Sequence, residues 1–301
     1  MRILVTGGTG FIGQALLKKF TQQGHVIIVL TRQAIALNTQ KQSSNITYIK
    51  SLDEIGNQNK IDVIINLAGE PIAGKRWSEK QKQLLVHSRV GVTEQLVGLI
   101  RRLEAPPECL LSASAIGYYG AQNDRALDEH SEVHDEFTHR LCQRWEQAAR
   151  QAEELDVRVC IMRLGIVLGP GGGALGKMLP AFRLGLGGKL GSGEQVMSWI
   201  HRSDVIAVVE YLMNSNELHG VFNLTSPQPV TNAEFAKQLG RALSRPSVFS
   251  MPGFAVKLLF GEMGDRLLLH GQRVIPKRLL DNGFALEYEH LNDALRASLS
   301  F

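Results

Sequence analysis

The chain has 301 residues, 44% hydrophobic and 21% charged, with 30 Gly and 10 Pro. That length provides for one large domain or two joined ones, and the composition excludes a disordered chain, a collagen-like repeat and a small disulfide scaffold. Lys and Arg number 33 against 29 Asp and Glu, a formal charge of +4 spread along the chain, which suits an anionic small ligand better than a nucleic-acid groove.

The first half alternates strand-like and helix-like segments. Met1–Thr6 reads as a strand and Phe11–Gln23 as a helix, with Ile12, Ala15, Leu16 and Phe20 on one face and Gly24 as its stop. Strands follow at Val26–Leu30, Ile46–Ile49 and Val63–Leu67. A long amphipathic segment then spans Glu79–Leu103 and is stopped by Pro106 and Pro107. Cys109–Ser112 reads as a strand, His139–Leu155 as a helix and Val157–Arg163 as a strand. Apolar strands alternating with helices mean βαβ units, because parallel neighbours require a crossover.

Past Arg163 the texture changes. Residues 169–193 are glycine-rich, yet the apolar Leu175–Leu186 stretch inside them argues against a flexible linker. Ser203–Met213 reads as a helix, Val221–Leu224 as a strand, and Ala233–Leu243 as a helix opened by Thr231 or Asn232. Residues 252–301 hold two basic, apolar segments without an assignable fold. The expected fold class is α/β, a Rossmann-type doubly wound parallel sheet with a smaller C-terminal α+β substrate region. Residues 1–165 form the nucleotide-binding part and 166–301 a smaller part that interleaves with it or stands apart.

The strongest motif is Thr6-Gly7-Gly8-Thr9-Gly10-Phe11-Ile12-Gly13, between the first strand and the first helix. Glycine permits the tight turn and lets a diphosphate approach the backbone, while the helix N-terminus favours negative charge. Gly7, Thr9, Gly10, Phe11, Ile12 and Gly13 are therefore candidate cofactor contacts. An NAD protein usually carries an acid at the end of the second strand. Here Thr31-Arg32 stands there instead. A guanidinium forks onto a 2′-phosphate that a carboxylate would repel, so NADP(H) is the expected cofactor. Leu67, Ala68 and Gly69 end another strand beside the expected ribose or nicotinamide, and Arg89 is a further candidate for phosphate.

Cys109, Cys142 and Cys160 form no Cys-x-x-Cys pair, and the nine histidines form no ligand cluster, so no metal is expected. No Gly-x-Ser-x-Gly elbow is present. No run approaches the roughly 20 apolar residues of a membrane span, and the apolar run after Arg2 reaches only Val5, unlike a secretory leader. A cytoplasmic location is expected, without membrane or nucleic-acid partners. The expected ligand is a small-molecule substrate, with a homodimer as the assembly to test.

Gly7–Gly13, Asn66–Glu70, Ser112–Gly120, Arg163–Gly173, Gly185–Gly193 and Trp199–His201 together resemble the extended short-chain dehydrogenases/reductases. Within that group the whole chain resembles the atypical epimerase family of the NAD-dependent epimerase/dehydratase superfamily. The resemblance implies a Rossmann core and NADP, with Thr31, Arg32, Leu67, Ala68 and Arg89 as cofactor contacts, and no particular substrate. Active members of the wider superfamily use a Ser or Thr after the fifth strand and a Tyr-x-x-x-Lys helix. Ser114 matches that serine, with Ala115 as the alternative. Thr138 and Cys142 stand where Tyr and Lys would be, and residues 129–155 contain neither residue type.

Tyr118 and Tyr119 are the phenols nearest Ser114 in sequence, so these three are the candidate catalytic residues. Arg163-Leu164-Gly165-Ile166-Val167-Leu168-Gly169-Pro170 resembles the superfamily's Arg-x-x-Asn-Val-Tyr-Gly-Pro with its Asn and Tyr made apolar, which removes hydrogen bonds expected for a nucleotide sugar. His201 and Asp204 resemble a substrate-side pair, or else Asp204 merely serves the following helix N-terminus. Two functions follow: an NADP-dependent oxidoreductase or epimerase acting on a small carbonyl or alcohol, or a non-catalytic NADPH-binding sensor favoured by the missing Tyr-x-x-x-Lys.

Overall fold

Short apolar runs bounded by glycine or charge become the strands of one sheet, and the amphipathic segments between them become its cover. The computed structural model describes residues 1–33, 45–122 and 125–299. In chain order it contains β1 (Arg2–Thr6), α1 (Phe11–Gln22), β2 (Val26–Leu30), β3 (Ile46–Ile49), β4 (Val63–Asn66), α2 (Glu79–Val86), a π-helical turn (His87–Gly91) and α3 (Val92–Arg102). Then come β5 (Cys109–Ala115), β6 (Ala126–Leu127), α4 (Phe137–Arg150), β7 (Arg158–Leu164), β8 (Ile166–Leu168), α5 (Gly173–Arg183), β9 (Val196–Met197) and β10 (Trp199–His201). The chain finishes with α6 (Arg202–Asn214), β11 (Gly220–Leu224), β12 (Val230–Thr231), α7 (Asn232–Ala242), α8 (Gly253–Leu268), β13 (Arg273–Val274), α9 (Lys277–Asp281) and α10 (Leu291–Leu299).

Seven strands form a parallel sheet in the order β11-β7-β5-β4-β1-β2-β3. The order reverses between β1 and β4, which opens a crevice at their carboxyl ends where such sheets take ligands. On one face Leu16 and Phe20 of α1 and Val205, Val208 and Leu212 of α6 pack against Ile3, Val5, Val63 and Ile65. On the other, Leu96, Val97 and Ile100 of α3 and Ala149 of α4 meet Leu4, Ile64, Leu110 and Ile161. Burying one such Leu or Ile side chain stabilises the fold by about 1.5–3 kcal/mol.

The sheet draws β11 and its covering α6 from beyond residue 165, so the two parts of the chain interleave. The remainder of the second part packs around Leu175, Phe182, Trp199, Phe235 and Leu295 beside the small pairs β8–β10 and β9–β12. Met263 of α8 reaches back to Trp77, Leu85 and Leu141.

Several elements differ from the sequence expectation. The 79–103 segment is interrupted by the π-helical turn, which hydropathy does not reveal. β5 runs three residues past Ser112, because the hydroxyls of Ser112 and Ser114 find partners inside the protein. Residues 252–299, unassigned from sequence, hold α8, α9 and α10, with Gly261 kinking α8 at φ 61°. Among the described residues no helix is long and apolar enough to cross a membrane, and none of their His, Cys, Asp or Glu groups could hold a metal ion.

Candidate functional site

The turn after β1 is shaped by glycines with different tasks. Gly7 adopts φ +68°, and a Cβ there would strike the Leu67 carbonyl. A Cβ on Gly13 would strike Gly7 O and stand 2.6 Å from Gly8 Cα, so α1 lies against its own entry loop. Gly10 differs, for a Cβ there meets only Gly7 O at 3.1 Å and otherwise faces open space. α1 has no side-chain cap and no acid in its first turn. Among the described residues nothing accepts the backbone N–H groups of Phe11, Ile12 or Gly13. Three orphan donors at a positive helix end beside a bare turn fit the diphosphate of a dinucleotide. The Phe11 ring is enclosed by residues 172–173 and by the Arg202 guanidinium, 4.5 Å from its centroid. Arg202 had no signal in the sequence reading, because only the fold carries it to the start of α1.

β2 delivers Thr31 and Arg32 to the same edge of the sheet. Thr31 is buried and its hydroxyl accepts the Gln33 N–H at 3.1 Å, while Arg32 is exposed. On the other side of β1, Asn66 anchors the floor: its Oδ1 accepts from Thr6 Oγ1 at 2.6 Å and its Nδ2 donates to Thr93 Oγ1 at 2.8 Å. Ala68 N–H donates to Thr6 Oγ1 at 3.2 Å. The Leu67–Gly69 backbone is thus pinned beside Gly7.

Arg89 lies on the π-helical turn, a distortion frequent at functional sites. Its guanidinium packs on Gly69 and donates to Glu70 O (2.9 Å) and Leu85 O (3.1 Å), and burial lowers its pKa. Among the described residues no carboxylate lies within 4 Å of it, so Arg89 both supports the 67–70 loop and leaves positive charge beside it.

Ser114, Tyr118 and Tyr119 meet at the end of β5 but in unequal settings. Ser114 is buried and donates to Glu146 Oε1 at 2.7 Å. Glu146 in turn holds Arg163 by two bonds, from Nε (2.8 Å) and Nη2 (2.9 Å). Arg163 Nη1 donates to the Tyr119 hydroxyl at 2.9 Å, and that hydroxyl donates to Asn223 Oδ1 at 2.7 Å. Tyr119 is wholly buried, and burial pushes its phenol up to about 12. Tyr118 is half-buried, its ring 3.4 Å from the Arg163 guanidinium and edge-on to His139. Among the described residues none bonds its hydroxyl. The pair that the sequence treats alike therefore divides: Tyr119 is a buried link, and Tyr118 keeps a free phenol.

The positions vacated by Tyr and Lys are visible on α4. Thr138 packs under residue 117 and donates to Glu136 Oε1 at 2.6 Å. Cys142 is buried, its thiol pushed up to about 12 by desolvation, close enough to Arg89 for their charges to interact. Neither group replaces a phenol or an ammonium. Asn223 and Thr93 escaped the sequence reading, and Glu146 served there only to align α4 with the Tyr-x-x-x-Lys motif, since their roles depend on partners 17 to 104 residues away. His201 and Asp204 lie on the C-terminal region instead. Asp204 stands in the first turn of α6, as the helix-terminus alternative has it, and also accepts from the backbone N–H groups of Glu287 (2.7 Å) and Tyr288 (3.1 Å), a clamp the sequence does not show.

Comparison with known proteins agrees with this layout. Residues 3–225 match the family model described as the NAD dependent epimerase/dehydratase family, and residues 251–298 match a domain of unknown function, DUF1731. The chain is 40% identical to an epimerase family protein SDR39U1 homolog, chloroplastic, from Arabidopsis thaliana, over 99% of this chain and 86% of that protein. It is 37% identical to the Homo sapiens epimerase family protein SDR39U1, over 98% of this chain and 99% of that one. The crystal structure of the human protein, isoform 2 with NADPH, superposes with a TM-score of 0.89 at 35% identity, covering 100% of this chain and 99% of that chain. A structure of MoeE5 with UDP-glucuronic acid and NAD shares the fold, with a TM-score of 0.81 at 19% identity over 100% of this chain and 98% of that one. With its Gly7–Gly13 turn at the switch point of a seven-stranded parallel sheet, the chain belongs to the NAD dependent epimerase/dehydratase family.

Proposed function

We propose that the chain binds NADP(H) and is an oxidoreductase or epimerase for a small carbonyl or alcohol. One observation carries the reading: an uncapped helix with three unbonded N–H groups faces a bare glycine turn at the point where strand order reverses. Gly7, Thr9, Gly10, Phe11, Ile12 and Gly13 hold the diphosphate. Arg32, beside Thr31, meets the 2′-phosphate. Leu67, Ala68 and Gly69 border the nicotinamide-side ribose, and Arg89 supplies there the positive charge that the missing lysine would have given. The human relative crystallised with NADPH supports the choice of dinucleotide. When bound, the nicotinamide supplies or accepts hydride.

Tyr118 is the residue that holds or moves the substrate proton, being the phenol with an unengaged hydroxyl. Ser114, Glu146 and Tyr119 position Arg163 beneath its ring. Ile166, partly exposed, favours an apolar contact over a hydrogen bond to a nucleotide sugar, while Leu168 is buried in the C-terminal core. The test is loss of NADPH absorbance across a panel of small aldehydes and ketones. Tyr118→Phe should lower turnover by roughly 100-fold or more. Tyr119→Phe should chiefly lower stability. A folded, NADPH-saturated protein inert toward the panel, or one whose rate ignores Tyr118→Phe, defeats the enzymatic reading.

A further inference from the structure

The C-terminal region carries apolar surface that none of its described elements covers. Leu184, Val248, Phe254 and Leu258 are each between 73% and 77% exposed, and Leu186 and Phe249 are 56% exposed. Backbone bonds bring their segments together: Phe249 N–H donates to Gly187 O (3.3 Å), Met251 N–H to Lys189 O (3.0 Å), and Gly191 N–H to Met251 O (2.9 Å). Glycine makes the approach possible, because a Cβ on Gly188 would run into the Phe249 backbone. The segment leaving α5 thus lies beside the one entering α8, and Phe254 and Leu258 follow one turn apart on the same side of that helix. Exposed apolar residues are ordinary when scattered; six on two joined segments make a patch.

The two segments themselves carry only positive charge, with Glu262 and Asp265 just beyond them on α8. Residues 181–191 and 241–259 contain Arg183, Lys189, Arg241, Arg245 and Lys257 and no aspartate or glutamate. All five cations are exposed. Among the described residues Lys257 has a carboxylate partner, Asp265 at 3.0 Å, and the other four have none within salt-bridge distance.

We infer that this face docks on the headgroup region of a bilayer rich in anionic lipid. The apolar side chains enter the boundary with the acyl chains while the cations meet lipid phosphates. A second copy of the chain is a poorer occupant, because a two-fold contact would set each cluster of cations against its own duplicate. Association without a spanning segment is peripheral, so it is compatible with the absence of a membrane-crossing helix among the described residues. The far end of α5 packs on Phe11, so docking keeps the glycine cradle within about one α5 length, roughly 16 Å, of the docked patch. None of this depends on the cofactor.

The test is co-sedimentation of the full chain with vesicles of phosphatidylcholine alone and of phosphatidylcholine mixed with phosphatidylglycerol. The expected result is about tenfold stronger partitioning onto the anionic vesicles, falling as salt rises. Phe254→Ser with Leu258→Ser should cut it by about tenfold or more. Arg183→Gln with Arg245→Gln should remove most of the anionic preference, each variant keeping the wild-type unfolding midpoint. Absence of pelleting, equal pelleting on both vesicles, or pelleting indifferent to both variants overturns the inference. So does a dimer, seen by sedimentation velocity without lipid binding, that the Phe254→Ser, Leu258→Ser variant dissolves; that result assigns the patch to a second copy.

Discussion

The Glu146–Arg163 pair offers a stability experiment whose sign follows from burial. The two side chains are 5% and 3% exposed and are joined by bonds of 2.8 and 2.9 Å. Glu146→Leu leaves a buried guanidinium whose remaining hydrogen-bond partners are the Tyr119 hydroxyl and, at long range, Glu129 O, and strips Ser114 of its acceptor. Removing one member of a buried pair costs about 3–5 kcal/mol. Arg163→Met leaves the carboxylate with Ser114 alone and should cost as much. The double variant removes both charges, and the remaining penalty is one unmet bond each at Ser114 and Tyr119, about 1 kcal/mol apiece. It should therefore be more stable than either single variant, with a coupling of about 3 kcal/mol or more. Urea unfolding at constant slope reads all three values. A single variant costing under about 1 kcal/mol, or a double variant equal to the sum of the singles, refutes the reasoning.

Two more perturbations follow from the geometry. His201 is buried with Nδ1 accepting from Ser203 N–H and Nε2 without a partner; burial lowers its pKa to about 4, with nearby Glu287 opposing that shift. Since the folded-state value lies below the unfolded 6.5, the neutral ring's contribution is complete above that pH and is lost as pH falls toward 4, up to about 3 kcal/mol. His201→Phe should lose less stability than wild type between pH 7 and 4.5, and equal losses would contradict this. At the glycine turn, Gly10→Val should keep the fold and abolish NADPH binding, because its side chain enters the open space before the helix. Gly13→Val should unfold the protein, its side chain meeting Gly7 and Gly8 backbone; the reverse pattern would sink the assignment of the turn.

Much of the sheet was readable because its strands are apolar runs with clear ends: Val26–Leu30 and Ile46–Ile49 coincide with β2 and β3 to the residue. The glycine turn between β1 and α1 was readable too, since a glycine pattern between a strand and a helix has a local physical cause. Ser112 and Ser114 hid the end of β5, because a hydroxyl in a strand core looks unsuitable until Asn66 and Glu146 are found opposite it. Tyr118 and Tyr119 are neighbours in sequence, and only Asn223 and Arg163, folded in from a distance, distinguish them. Residues 252–299 were opaque for another reason: α8 mixes exposed Phe254 and Leu258 with buried Val256 and Met263 and bends at Gly261, so no single periodicity runs through it.

The central claim is tested most directly by calorimetric titration of the intact chain with NADPH and NADH, repeated on Arg32→Ala. The account predicts tighter binding of NADPH, with the substitution removing most of the difference at a loss of about 1.5–3 kcal/mol. Heat from neither nucleotide, or a preference for NADPH that survives the loss of Arg32, would contradict it.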